Sequence, residues 1–222
     1  MADAAGGARH ESVLLLHNVG KRQNFGTLLR SAQAFGVSEI AVAGSEKLRT
    51  FGNQGTASHC EIKPFGKLED AVQHYRARGF RVCGVEITDT AVPVETHPFE
   101  GSTVFMVGNE GTGMTEKQLA ACDGFVYIPQ FSGATASLNV ATAGAIVLHH
   151  FATWAGFTPQ PREGQKFVTA EPRGKLEIFE NPTEAEAALV AEKRAARARK
   201  RQAAEADIPA EEDAEGAAED AA

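Results

Sequence analysis

Residues 128–140 read IPQFSGATASLNV, a proline and two small-residue turns that run directly into Ser137, Leu138, Asn139 and Val140. Beyond them Ala141, Ala143, Ala145, Ile146, Val147 and Leu148 are small or apolar, the composition of a helix buried on most of its surface. A helix start leaves backbone N–H groups without partners, so a serine and an asparagine there gather hydrogen-bonding groups at one buried end. Those residue types also serve as ordinary helix caps, and this stretch alone leaves both readings open. Residues 125–128 just before it form a short apolar run, so the segment reads strand, loop, buried helix.

The same alternation extends through the chain. Residues 13–17 predict a strand and 24–35 a helix; 39–43 a strand and 67–78 a helix; 80–87, rich in Val and Ile, a strand. Then 103–107 predict a strand, 115–121 a short helix, 125–128 a strand and 137–154 a long closing helix. This order implies an α/β fold, a mostly parallel sheet with helices on both faces. Its ligand belongs at the carboxyl ends of the strands.

Two further segments carry polar residues at such ends. Residues 24–36 read NFGTLLRSAQAFG, where Asn24 and Gly26 open a helix and Arg30 stands among Leu28, Leu29, Ala32, Ala34 and Phe35. Residues 103–114 read TVFMVGNEGTGM, an apolar strand entering a glycine-rich turn that carries Glu110 between Asn109 and Gly111. In this order, the three segments resemble the three motifs of the SpoU/TrmH family, RNA ribose 2′-O-methyltransferases of the SPOUT superfamily. The likeness covers residues 11–157. The sequence departs from many members at Gln130 and Phe131-Ser132, before the glycine, and at Ala141, where Ser is common.

The resemblance implies a deep trefoil knot in the last third of the domain, an exception to the rule that chains avoid threading. It also implies S-adenosylmethionine as cofactor and ribose 2′-O-methylation of structured RNA as activity, tRNA ahead of rRNA. Arg30 corresponds to the family's catalytic arginine. Its guanidinium is too basic to act readily as a free base, and suits a bidentate clamp on the substrate phosphate. Asn24 would orient Arg30 or the ribose, Glu110 would fix Arg30 or substrate, and Ser137 and Asn139 would complete the substrate side. For the cofactor, Gly108, Asn109 and Gly111 would let the backbone close on the adenosine, and Ile128, Leu138 and Val140 would enclose the adenine. Glu86 and Ile87, at a strand end, are candidates for its ribose. Members of the family pair through the closing helix, and Leu148, Phe151 and Trp154 form an apolar stripe on it, so a homodimer is expected.

Composition bounds the rest. In a chain of 222 residues the hydrophobic content is 43%, and no apolar run approaches the length of a membrane span. Residues 1–10 are small and polar, a flexible N-terminus without a secretory apolar core and without room for a separate RNA-binding domain. Cys60, Cys83 and Cys122 lack paired metal spacing and read as packed thiols in a reducing, cytoplasmic compartment. His149 and His150 are adjacent on one helix and face apart, so no metal is expected. After the domain at 11–157, residues 158–182 hold Pro159, Pro161, Pro172 and Pro182 and read as a linker or strap. Residues 183–204 read as a helix opened by a capping box, Thr183 with Glu186, and 205–222 as a disordered acidic tail.

Net charge is −7, but residues from 184 onward hold 11 acids and 6 bases, leaving −2 for the rest. The six bases all lie in 193–201, KRAARARKR, where Arg197, Arg199, Lys200 and Arg201 are the densest positive run. That run suits a phosphate-gripping arm, a nuclear-localisation-like stretch or a solvated helix face. Two other classes compete. A dinucleotide oxidoreductase fits the sheet, but Gly108, Gly111 and Gly113 stand in the wrong order for its glycine fingerprint. A catalytically silent RNA-binding protein on the same fold would not need Asn24, Arg30, Glu110, Ser137 and Asn139 together.

Overall fold

Leu14, Leu15 and Leu16 follow one another in Ser12–His17 (β1), and all three are buried. Only a strand covered on both faces buries consecutive residues, because successive side chains point to opposite sides. A computed structural model describes residues 10–44 and 61–168, with the single positions 188, 192, 195, 196 and 199. After β1 come Arg22–Ala34 (α1), Glu39–Ala43 (β2), Ile62–Phe65 (β3), Leu68–Ala77 (α2), Arg81–Val85 (β4) and Val92–Pro93 (β5). Thr103–Val107 (β6), Glu116–Ala120 (α3), Gly124–Tyr127 (β7) and Val140–Trp154 (α4) complete the domain.

The sheet has seven strands in the order β3-β2-β1-β6-β4-β7-β5, and every neighbouring pair runs parallel. One face sets Leu14, Leu16, Phe105 and Val107 against Leu28 and Leu29 of α1 and Val147, Leu148 and Phe151 of α4. The other sets Val13, Leu15, Val104 and Met106 against Leu68, Ala71, Val72 and Tyr75 of α2. Each of the Val, Leu, Phe and Met side chains contributes about 1.5–3 kcal/mol on burial. Helices α1 and α4 meet closely at Gly144, where a Cβ would lie 2.7 Å from Leu28 Cδ2.

The α/β architecture expected from the sequence is present, with three differences in detail. Strand β3 contains Pro64 and β5 is two residues long with Pro93, so neither gives the alternating pattern that marks a strand. Helix α4 begins at Val140 rather than at residue 137, because the Asn139 side chain caps it and leaves Ser137 and Leu138 in the preceding loop. The apolar stripe expected to face a second copy instead completes the core. Leu148 and Phe151 are fully buried, and Trp154 packs on Phe99 and Phe151 and stacks on His10.

Within the stretch read as linker, Arg162–Glu163 (β8) and Lys166–Phe167 (β9) form an antiparallel hairpin. Asn181–Ala222 is a separate unit, in which Ala188, Glu192, Ala195, Ala196 and Arg199 are helical and exposed. Arg197, Lys200, Arg201, Cys60 and the acidic residues 205–222 lie outside the described residues.

Candidate functional site

The carboxyl ends of β4, β6 and β7 open into a cleft of about 350 Å³, within the range of small-molecule sites. All eight residues expected to hold a cofactor line it: Glu86, Ile87, Gly108, Asn109, Gly111, Ile128, Leu138 and Val140. Its shape depends on the turn after β6, where Asn109 and Gly113 exchange backbone hydrogen bonds of 2.8 and 3.1 Å. That fold-back brings Gly108 so near that a Cβ there would meet Gly113 C at 2.6 Å and Met114 N at 2.8 Å. Backbone cannot yield as a side-chain tip can, so position 108 requires glycine. Gly113 has φ +68°, and a Cβ there would meet Glu86 Oε2 at 2.7 Å.

Two cofactor candidates have structural partners as well. Glu86 accepts from Met114 N at 2.9 Å and from Ile87 N at 3.0 Å, tying the β4 end to the turn. Asn109 donates to Asn18 O at 2.9 Å and accepts from Gly111 N at 2.9 Å, linking that turn to the loop after β1. Each shapes the cleft wall with its polar atoms and ties neighbouring loops together.

Three of the residues expected on the substrate side, Glu110, Asn24 and Asn139, form a directed relay. Glu110 accepts from Lys21 N at 2.9 Å, Gly20 N at 3.1 Å and Asn24 Nδ2 at 3.0 Å. Asn24 Oδ1 accepts from Asn139 Nδ2 at 3.1 Å, and Asn139 Oδ1 accepts from Ala141 N at 2.9 Å and Thr142 N at 3.4 Å. A carboxylate only accepts, so Asn24 must offer Glu110 its NH₂; this fixes both amide orientations from Glu110 to the start of α4. Burial pushes the Glu110 carboxyl up, but the Lys21 N–H, the Asn24 amide and the Gly20 N–H outweigh it and hold the group below the usual carboxylate range. Helix α1 has no acid in its first turn and no side-chain cap, and Glu110 supplies negative charge there from a distant loop.

Of the two roles expected of Glu110 and Asn24, toward Arg30 or toward the substrate, this arrangement shows no bond of the first kind. The Glu110 carboxylate is taken up by Asn24 and two backbone N–H groups, the Asn24 amide by Glu110 and Asn139, and neither bonds the guanidinium. Arg30 is exposed on α1, without an ion-pair partner among the described residues. Ser137 and Leu138 line the cleft, and Asn139 stands at its edge as the cap of α4. Among the described residues no three His, Cys, Asp or Glu side chains are grouped to hold a metal, and no helix is long and apolar enough to cross a membrane. His149 meets the edge of Phe35 while His150 bonds His97 at 3.0 Å, so the two histidines do face apart.

Gln118 escaped the sequence reading. It is fully buried, forms a reciprocal capping box with Thr115 and donates at 3.4 Å to both His17 O and Val107 O, joining the ends of β1 and β6 beneath the cleft. The pair Thr115-x-x-Gln118 was a readable signal for the cap. Its second task, bridging two strand ends, depends on tertiary structure.

Relatives share this stretch of chain. The tRNA (guanosine(18)-2′-O)-methyltransferase of Escherichia coli (strain K12) is 31% identical over 137 residues, 60% of this chain and 59% of the relative. The 23S rRNA (guanosine(2553)-2′-O)-methyltransferase of Bacillus subtilis (strain 168) is 32% identical over 148 residues, 64% of this chain and 58% of the relative. The chain thus spans about three fifths of the length of these two curated relatives. The crystal structure of an AdoMet bound rRNA methyltransferase from Sinorhizobium meliloti superposes with a TM-score of 0.58 at 25% identity, over 66% of this chain and 57% of that one. The sequence model of the SpoU rRNA methylase family matches residues 11–149, from β1 into α4. That span takes in all seven strands, the cleft and the whole Glu110-to-Asn139 relay, and the chain belongs to the SpoU rRNA methylase family.

Proposed function

We propose that the protein transfers a methyl group from S-adenosylmethionine to a ribose 2′-hydroxyl of structured RNA, with tRNA ahead of rRNA as substrate. The observation that carries this reading is the cleft closed by Gly108, whose missing side chain lets backbone fold against the space a nucleoside would fill. The residues present fit that cofactor. Ile128, Leu138 and Val140 offer apolar surface for adenine, and the 108–113 turn offers backbone to the adenosine. When bound, the cofactor supplies an electrophilic methyl group.

The chain's own residues do the remainder. Arg30, exposed and unpaired among the described residues, grips a substrate phosphate with two parallel N–H donors, and its charge lowers the pKa of the neighbouring hydroxyl, whose proton passes to solvent water as the oxygen takes the methyl group. Glu110, Asn24 and Asn139 keep the three loops in register, so that the hydroxyl and the methyl donor meet in line. Positioning of this kind is worth up to about 7–11 kcal/mol in favourable cases. The reading includes the trefoil knot that the family resemblance implies. It also includes a homodimer through α4, whose Ala145, Ile146 and Ala152 stay half-buried beyond the face given to the core. A reducing compartment suits Cys83 and Cys122, free thiols whose burial pushes each up to about 12.

Calorimetric titration and methylation mapping test the proposal together. S-adenosylmethionine should bind in metal-free buffer and NAD should not. Ribose-methylation maps of total RNA from cells with and without the protein should differ at a discrete site. Binding of NAD alone, or identical maps, would overturn the reading.

A further inference from the structure

The loop between β7 and α4 holds a large aromatic side chain that touches almost nothing. Phe131 is 96% exposed, more than any other large hydrophobic residue among the described ones, and residues 131–139 are all exposed. The side-chain bonds within the loop are local, Ala134 N to Ser132 Oγ at 3.2 Å and Thr135 Oγ1 to Ser137 O at 3.0 Å. Gly133 has open space around it. The core therefore neither covers Phe131 nor dictates where its ring points.

Its position narrows what could cover it. Gln130 immediately before it, and Ser137 and Leu138 on the returning arm, line the cleft, whereas Phe131 does not. Phe131 thus stands at the rim of the cleft, between residues that line it. Ile87 also lines the cleft and is 60% exposed, so the mouth carries further apolar surface. RNA is charged and hydroxylated along its backbone and offers apolar faces only through its bases. A ribose held in a helical stack can enter a cleft at the carboxyl ends of the strands only if its base leaves the stack, and an unstacked base needs a flat partner.

We propose that Phe131 is a positioning residue on which the base of the target nucleotide stacks while its ribose enters the cleft. This rests on the RNA methyltransferase reading above. A stacked base would fix the rotation of the nucleotide about its backbone, and so aim the 2′-hydroxyl at the methyl donor. A π-face is common to every base, so Phe131 selects an extruded nucleotide rather than a particular base.

The test uses the full chain with total RNA from cells lacking the protein and isotopically labelled S-adenosylmethionine. Phe131→Ala should raise the KM for RNA by about 5- to 150-fold, the range for loss of one base–aromatic stack. Cofactor affinity by calorimetry should stay within twofold of wild type. Phe131→Tyr and Phe131→Trp should restore most of the loss, and Phe131→Leu, apolar but without a ring, should not. In the Phe131→Trp variant, RNA should quench fluorescence beyond the Trp154 background measured in the wild type.

An unchanged KM in Phe131→Ala, full rescue by Leu or an absent quench would overturn the stacking role. So would a shift of Phe131→Ala from dimer to monomer in sedimentation, which would make a second copy the occupant. If the wild type methylates no RNA, the reaction assigned above fails, and the quench alone still decides whether Phe131 meets a base.

Discussion

Replacing Asn24 by Asp tests the directed relay with almost no change of shape. Asn24 is 8% exposed, and its NH₂ lies 3.0 Å from Glu110 Oε1. The substitution places a second carboxylate where a donor stood. At 3.0 Å, two unit charges repel by about 1.4 kcal/mol at the dielectric of water and about 5.5 kcal/mol at an effective value near 20. Taking up a proton limits the cost, because protonating one ordinary Asp at pH 7 takes about 4 kcal/mol. Asn24→Asp should therefore lose about 1.5–4 kcal/mol at pH 7.

The pH dependence gives the sharper test. The folded pair holds its shared proton more tightly than the unfolded chain does, so the deficit should shrink as pH falls. At pH 5 the protonation limit is about 1.5 kcal/mol. Urea unfolding of wild type and variant at the two pH values, with linear extrapolation, measures the difference directly. A variant as stable as wild type at pH 7, or with the same deficit at both, would refute the orientation assigned to Asn24.

Gly108→Ala should cut S-adenosylmethionine affinity more than tenfold by calorimetry, and lower stability by about 1–3 kcal/mol, because the atoms it meets are backbone. Arg30→Lys should lose on the order of 10- to 100-fold in methyl transfer with cofactor affinity intact, since a point charge cannot replace the planar fork; near-normal turnover would exclude a bidentate clamp. The stability Glu110 contributes is present above the unfolded carboxylate pKa and lost as pH falls through its lowered folded value. Glu110→Gln should therefore flatten the acid limb of a stability-against-pH curve below about pH 5. Deleting residues 183–222 should leave cofactor binding unchanged and reduce the salt dependence of RNA affinity by about 0.7–0.9 for each phosphate that the basic run neutralises, as seen in binding isotherms at several salt concentrations.

Most of this organisation was legible because it rests on local chemistry. Leu14-Leu15-Leu16 marks a strand covered on both faces, and the glycines of 108–113 mark a turn pressed against something. Asn24, Glu110 and Asn139 were identifiable as site residues, but their bonds to one another were not, because 86 residues separate Asn24 from Glu110 and 115 separate Asn24 from Asn139. Polarity of a hydrogen-bond chain depends on who stands opposite whom. The α4 stripe was ambiguous for a related reason. Leu148, Phe151 and Trp154 are apolar whether they meet their own core or a second chain, and only the positions of Phe99 and Phe105 decide it.

The two prolines that hid β3 and β5 from the sequence reading bear on how this molecule avoids sticking to others. Ile40 N and Gly44 N donate to Glu61 O and Phe65 O, so by strand alternation Ile62 and Pro64 turn their backbone outward. Pro64 has no N–H to give, and the outer margin of β3 is left with the donor of Ile62 alone. At the opposite margin β5 pairs through Val92 and Pro93 only. Among the described residues an incoming strand finds few donors at either margin of the sheet, which disfavours edge-to-edge pairing.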